Sequence, residues 1–317
     1  MDKRTTFCNP VAERAADPWV YKHSDGSYYF MATRGDRLVL TRSSTLSGIA
    51  AGRQATIWRP EPGGSYSHHL WAPELHYLGG KWYVYYTAND GGGDESRRIC
   101  VLENVGADPM EGEWTWKGAL KTPVPGLDGT VMELRDRLYF LYAGYGHFPD
   151  YGSAIYAMAM NDPWTLEGEQ TLLTAPTLDW EKQGGMAINE GPVVLRRNGR
   201  VFLVYSASTT WSEDYALGML TMEEGADPMS ASSWTKSMRP VFRKSVENGV
   251  YATGHNSFTK SPDDREDWIV YHALPAPGAA TSLRATRIQP FGWKPDGTPD
   301  FGIPLGDAQA IAIPSGE

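Results

Sequence analysis

Only two cysteines, Cys8 and Cys100, occur among 317 residues, and no CxxC or paired Cys/His spacing accompanies them. That excludes a disulfide framework and a zinc module and leaves two free thiols. Long apolar runs are missing too; no stretch approaches the roughly 18 residues of a membrane-spanning helix, so no membrane partner is expected. The opening MDKRTTFCNP lacks the apolar segment of a secretory leader, which points to the cytoplasm, or to a secreted or periplasmic protein if a leader has been removed. Basic runs are absent and the net charge is −9. Nucleic acids are bound through clustered Lys and Arg, so none is an expected partner. The sequence carries no signal of oligomeric state.

What is present is an ordinary globular composition, 41% hydrophobic and 12% aromatic, with no long stripe of helical period. Short aromatic or alternating runs bounded by Gly, Asp, Asn and Pro recur instead, so the chain reads as all-β. A tight turn followed by an aromatic strand appears five times: DGSYYFMAT, GGKWYVYYT, RDRLYFLYA, NGRVFLVYS and DREDWIVYH. Their strands start at Tyr28, Trp82, Leu138, Val201 and Trp268, at steps of 54, 56, 63 and 67 residues. A four-stranded propeller blade with its loops needs about 40 to 60 residues. The expected fold is therefore a single five-bladed β-propeller over residues 1–317, favoured over a sandwich by this periodicity. ATRIQPFGWKPDGTPDFGIPL is expected to finish the last blade.

The segment ahead of each turn should be the innermost strand, facing the central channel. These segments read ADPWVY, HHLWAPELHYL, GLDGTVMEL, NEGPVVL and TGHNSFTK. Three carry an acid at nearly one register: Asp17, Asp128 and Glu190 precede their aromatic strands by 11, 10 and 11 residues. Each alone reads as a turn residue. Together, each followed by a valine (Val20, Val131, Val193), they converge on one end of the channel. Glycosidic cleavage needs one carboxylic acid to protonate the leaving oxygen and one carboxylate for the opposite face of the sugar. A third acid near the donor would raise that donor's pKa.

DPW, WAPEL, LDGTV, NEGP and GHNSF, in this order and at blade spacing, resemble glycoside hydrolase family 43. Within the family the chain is more similar to the single-domain α-L-arabinofuranosidases than to β-xylosidases with an added sandwich. The resemblance implies inversion, with Asp17 as general base, Glu190 as general acid and Asp128 tuning and orienting Glu190. It implies an arabinose-containing oligo- or polysaccharide as partner: arabinan, arabino-oligosaccharides or arabinoxylan, attacked from the end. β-Xylosidase or mixed activity is the alternative, and a non-catalytic binding propeller is the alternative of another class.

No cofactor is required for such chemistry. The resemblance does imply that His255, at the channel centre, holds a structural ion, often calcium, through water, since calcium itself prefers oxygen. Arg287, in LRATRIQPFGW, aligns with an arginine that contacts a sugar hydroxyl. Trp71 is expected as a wall against the sugar and Glu74 as a polar contact. Trp19 reads equally as sugar wall or core, and His68 and His69 as rim residues.

Overall fold

The computed structural model describes residues 5–317; residues 1–4 of the expected domain lie outside the described residues. A short strand β1 (Thr6–Phe7) precedes blade one, which contains β2 (Trp19–Lys22), β3 (Tyr28–Met31), β4 (Leu38–Ser43) and β5 (Arg53–Trp58). Blade two contains β6 (His68–Leu78), β7 (Lys81–Asn89), β8 (Arg98–Asn104) and β9 (Thr115–Ala119). Blade three contains β10 (Gly126–Leu134), β11 (Arg137–Gly144), β12 (Ala154–Asp162) and β13 (Thr165–Thr174). Blade four contains β14 (Asn189–Arg197), β15 (Arg200–Ala207), β16 (Ala216–Glu223) and β17 (Thr235–Lys236). Blade five contains β18 (Tyr251–Lys260), β19 (Asp267–Leu274), β20 (Ala285–Trp293) and β21 (Pro299–Asp300), and β22 (Ile311–Ala312) follows. Strands within each blade pair in sequence order, and the five blades form a β-propeller.

The second strand of each blade is the aromatic run of the repeat, and its composition follows from its position. It is covered on both faces by neighbouring blades, so it is apolar throughout rather than alternating. Successive residues are shared between two cores. Trp82, Val84 and Tyr86 pack against Tyr29 and Leu40 of blade one, while Tyr83 and Tyr85 pack against Phe140 and Tyr142 of blade three. Equivalent cores join blades three and four around Leu141 and Leu203, four and five around Phe202 and Ile269, and five and one around Trp268 and Phe30. The ring closes where β1 pairs with β22 and Asn9 brackets Ile288 through both amide atoms. The closing segment does finish blade five, as β20 and β21.

Near the start of each innermost strand a residue turns left-handed: Asp17 (φ 54°), Ala72 (44°), Asp128 (53°), Gly191 (54°) and His255 (47°), with His69 (52°) and Ala252 (50°) doing so three residues earlier in blades two and five. In blades two to five this coincides with a break in ladder register, a bulge that re-aims side chains. Each freed N–H is caught by a side chain. Ala72 donates to Thr33 Oγ1, Asp128 to Thr87 Oγ1, His255 to Ser206 Oγ and Asp17 to His272 Nδ1. In blade three the corresponding position is Ala143, paired with Leu127 as Thr87 is with Trp71. Alanine offers no acceptor, and the Asp128 carboxylate takes the Gly191 N–H instead, at 3.1 Å.

Candidate active site

The five left-handed positions surround one end of the channel, where a pocket of about 360 Å³ is lined by Asp17, Asp128, Glu190 and His255 together with Trp71 and Arg284. Asp17, Asp128 and Glu190 therefore meet although they come from three blades. Glu190 sits one residue before the bulge position that Asp17 and Asp128 occupy, so the common register expected from sequence is offset by one residue. Positions on either side of a bulge both open to the pocket, as Leu127 and Asp128 do.

Asp17 accepts a hydrogen bond on each oxygen. Thr33 donates to Oδ2 at 2.6 Å and Arg284 Nη1 to Oδ1 at 2.9 Å. Burial alone would raise this carboxyl; the Arg284 guanidinium and the facing His255 outweigh it and hold the pKa well below the ordinary value. Asp17 is thus a carboxylate with lone pairs to spare for a water. Glu190 has the opposite character. Burial, reinforced by the Asp17 charge, pushes its pKa up to about 7, even though the Tyr215 hydroxyl donates to Oε1 at 2.8 Å and pulls the other way. Asp128 is raised well above the carboxylate range by burial first and by repulsion from Glu190 and Asp17 second. Two neighbouring acids with pKa values driven apart can divide the labour of base and acid. Asp17 repels the Glu190 charge, Asp128 and Glu190 repel one another, and Asp128 also holds the peptide that follows Glu190.

His255 lies between the acids, its Nδ1 3.6 Å from Asp17 Oδ1 and 3.9 Å from Asp128 Oδ2. Among the described residues no three His, Cys, Asp or Glu are grouped to hold a metal ion. Calcium needs six to eight oxygens, whereas Asp17 is committed to Arg284 and Thr33, and Asp128 to Gly191. The donor set does not fit a directly held ion; only an ion held entirely through water is compatible with it.

Trp71 lines the pocket as expected, with the Arg97 guanidinium stacked 4.0 Å from its ring centre. Arg97 is buried, tied to Asp94 at 2.6 Å, and its Nη1 has no protein partner. Glu74 is not in the pocket. Its carboxyl hydrogen-bonds to His76 Nε2 at 2.9 Å and to Thr130, residues that line the cavity at the opposite mouth of the channel, because the bulge at Ala72 carries the strand inward past the acids. Arg287 is also elsewhere. It is 3% exposed, bound to Leu305 O and Asp307 on the C-terminal side of blade five, and the pocket arginine is Arg284, three residues earlier. Trp19 packs against His76 with its ring tilted by 37° and donates to Leu75 O near the far mouth. His68 and His69 are exposed and outside the pocket. Arg284, Tyr215, Thr33 and Arg97 were not singled out from sequence. The TSLRATR segment held two arginines, and no local pattern told which preceded the strand.

The sequence profile of Glycosyl hydrolases family 43 matches residues 7–299. The chain belongs to this family. It is 43% identical over 311 residues to an extracellular exo-α-(1→5)-L-arabinofuranosidase of Streptomyces avermitilis, covering 95% of this chain and 64% of that protein. It is 43% identical over 269 residues to the protein of the same name from Streptomyces chartreusis, covering 84% and 81%. The chain thus spans about two-thirds or less of the first of these relatives. The crystal structure of an α-L-arabinofuranosidase from Lactobacillus brevis superposes with a TM-score of 0.91 at 40% identity, covering 96% of this family 43 chain and 98% of that one. No helix among the described residues is long and apolar enough to cross a membrane.

Proposed function

We propose that this family 43 protein is an inverting α-L-arabinofuranosidase that releases terminal L-arabinose from arabinan, arabino-oligosaccharides or arabinoxylan. The observation that carries the reading is the opposed pKa displacement of Asp17 and Glu190 within one pocket; the arabinofuranosidase relatives support the choice of sugar. Protonated Glu190 gives its proton to the glycosidic oxygen as the bond from C1 to that oxygen breaks. A water attacks C1 from the opposite face and loses a proton to Asp17. The cycle leaves Glu190 ionised and Asp17 protonated, and exchange with solvent restores both. Asp128 orients Glu190 through the Gly191 peptide. Trp71 offers an apolar face to the sugar, and Arg97 packs against the ring and holds it in place.

The test is release of sugar from aryl α-L-arabinofuranoside and aryl β-D-xyloside, run beside Glu190→Ala. Arabinose release that falls by a factor of about 10² to 10⁴ in the variant is expected for a general acid. Xylose release alone would replace the sugar assignment with the β-xylosidase alternative. Turnover unaffected by the substitution would remove Glu190 from the chemistry.

A further inference from the structure

Away from the pocket, on the outer part of blade two, Trp116 stands 38% exposed on β9. Its ring is nearly parallel to two others, Trp58 at 6.4 Å and 13° and Tyr66 at 6.2 Å and 24°. A bulge places it there. Val101 pairs with Gly118 and Leu102 with Trp116, so Lys117 is skipped and turns toward blade three, over the Trp164 ring. Gly118 follows at φ 115° with open space where a Cβ would stand. Tyr66 is itself left-handed, at φ 58°, a conformation unfavourable for a non-glycine residue. Trp116 and Tyr66 line a cleft of about 420 Å³ whose polar lining includes Ser65, Arg98 and Lys121. Arg98 is pinned by the carbonyls of Glu95 and Arg97.

We propose that this cleft is a second glycan-binding site, which holds a strand of the same pentose polymer that the pocket cuts. The proposal rests on the arabinofuranosidase reading for the identity of the polymer. Parallel aromatic faces with fixed hydrogen-bond donors at their edge match a sugar, whose C–H face packs on a ring while its hydroxyls take donors from the side. No carboxylate lines the cleft, in a chain of net charge −9. Arg97 stacks on Trp71 of the pocket, and the next residue, Arg98, faces the cleft, so both sites are built on blade two. The product is an anchored substrate: the cleft raises the local concentration of chain ends at the pocket without touching the reacting bond.

The experiment measures retardation of the full chain in native gels containing linear arabinan, with pullulan as control, in a Glu190→Gln background that prevents digestion. Trp116→Ala and, separately, Tyr66→Ala are expected to weaken retardation by roughly tenfold, as truncation of a central aromatic contact does. In the otherwise unaltered enzyme the same variants are expected to keep kcat/KM on aryl α-L-arabinofuranoside within about twofold while raising KM on the polymer. Arabinan retardation unchanged in both variants overturns the proposal, as does equal retardation by pullulan. If Trp116→Ala also loses turnover of the aryl substrate, its fold is damaged and Tyr66→Ala decides. An unaltered enzyme that binds arabinan through the cleft yet releases no arabinose contradicts the activity reading and leaves the cleft standing.

Discussion

Two carboxylates in the same pocket differ because their neighbours differ. Asp17 has a guanidinium at 2.9 Å, whereas Glu190 has a neutral phenol and the repelling charge of Asp17. The dependence of kcat/KM on pH should therefore be bell-shaped, losing activity above about pH 7 as Glu190 ionises and, on the acid side, only well below the ordinary carboxylate range, where Asp17 protonates. Tyr215 sets the first limit. It is fully buried and stacks within 9° of His272, whose Nδ1 receives the Asp17 N–H, so one stack supports both acids from behind. Its hydroxyl favours the Glu190 carboxylate, so Tyr215→Phe should raise the Glu190 pKa and move the alkaline limb to higher pH. Arg284→Ala should raise the Asp17 pKa and move the acid limb upward as well. A Tyr215→Phe profile superimposable on the parent would mean that the phenol does not act on the acid. Neither residue was legible in the sequence. Tyr215 sits in a loop before the third strand of blade four, and its partner lies 25 residues away.

At the scale of the strand, the repeat was legible because physics repeats with it. A middle strand covered on both faces must be apolar at every position, and five such runs stand out from the turns before them. The inner strand hides more. Its bulge makes position within the strand a poor guide to direction, so Trp71 reaches the pocket while Glu74 reaches the far side of the channel. The bulges also explain why the spacing read for the three acids, 11, 10 and 11 residues, is only approximately common, with Glu190 one residue ahead of the left-handed position that Asp17 and Asp128 occupy. Gly191 is the one bulge residue in glycine form, and a Cβ there would stand 3.2 Å from His255 Nδ1 and 3.4 Å from Ser206 Oγ. Gly191→Ala should thus displace His255 or the Asp128 bond beside it, lowering kcat by about tenfold or more while the melting temperature falls only a few degrees. Unaltered kcat in this variant would show that the bulge of blade four tolerates adjustment.

For the whole molecule, the five-fold arrangement supplies what no single blade could. Each blade contributes one side chain or one peptide at the same height in the channel, and the five packed cores hold those contributions in fixed relation. The misplacement of Arg287 belongs to this scale. An arginine in the third strand of blade five can face the pocket or the closing segment, and only the path of residues 301–312 shows that Leu305 and Asp307 take it. The central claim is that Asp17 and Glu190 act on opposite faces of one sugar. Proton NMR of the first turnovers of an α-L-arabinofuranoside tests it most directly. The account predicts β-L-arabinofuranose as the first anomer, followed by slow mutarotation; the α-anomer appearing first would contradict it and require a covalent intermediate on one of the two acids.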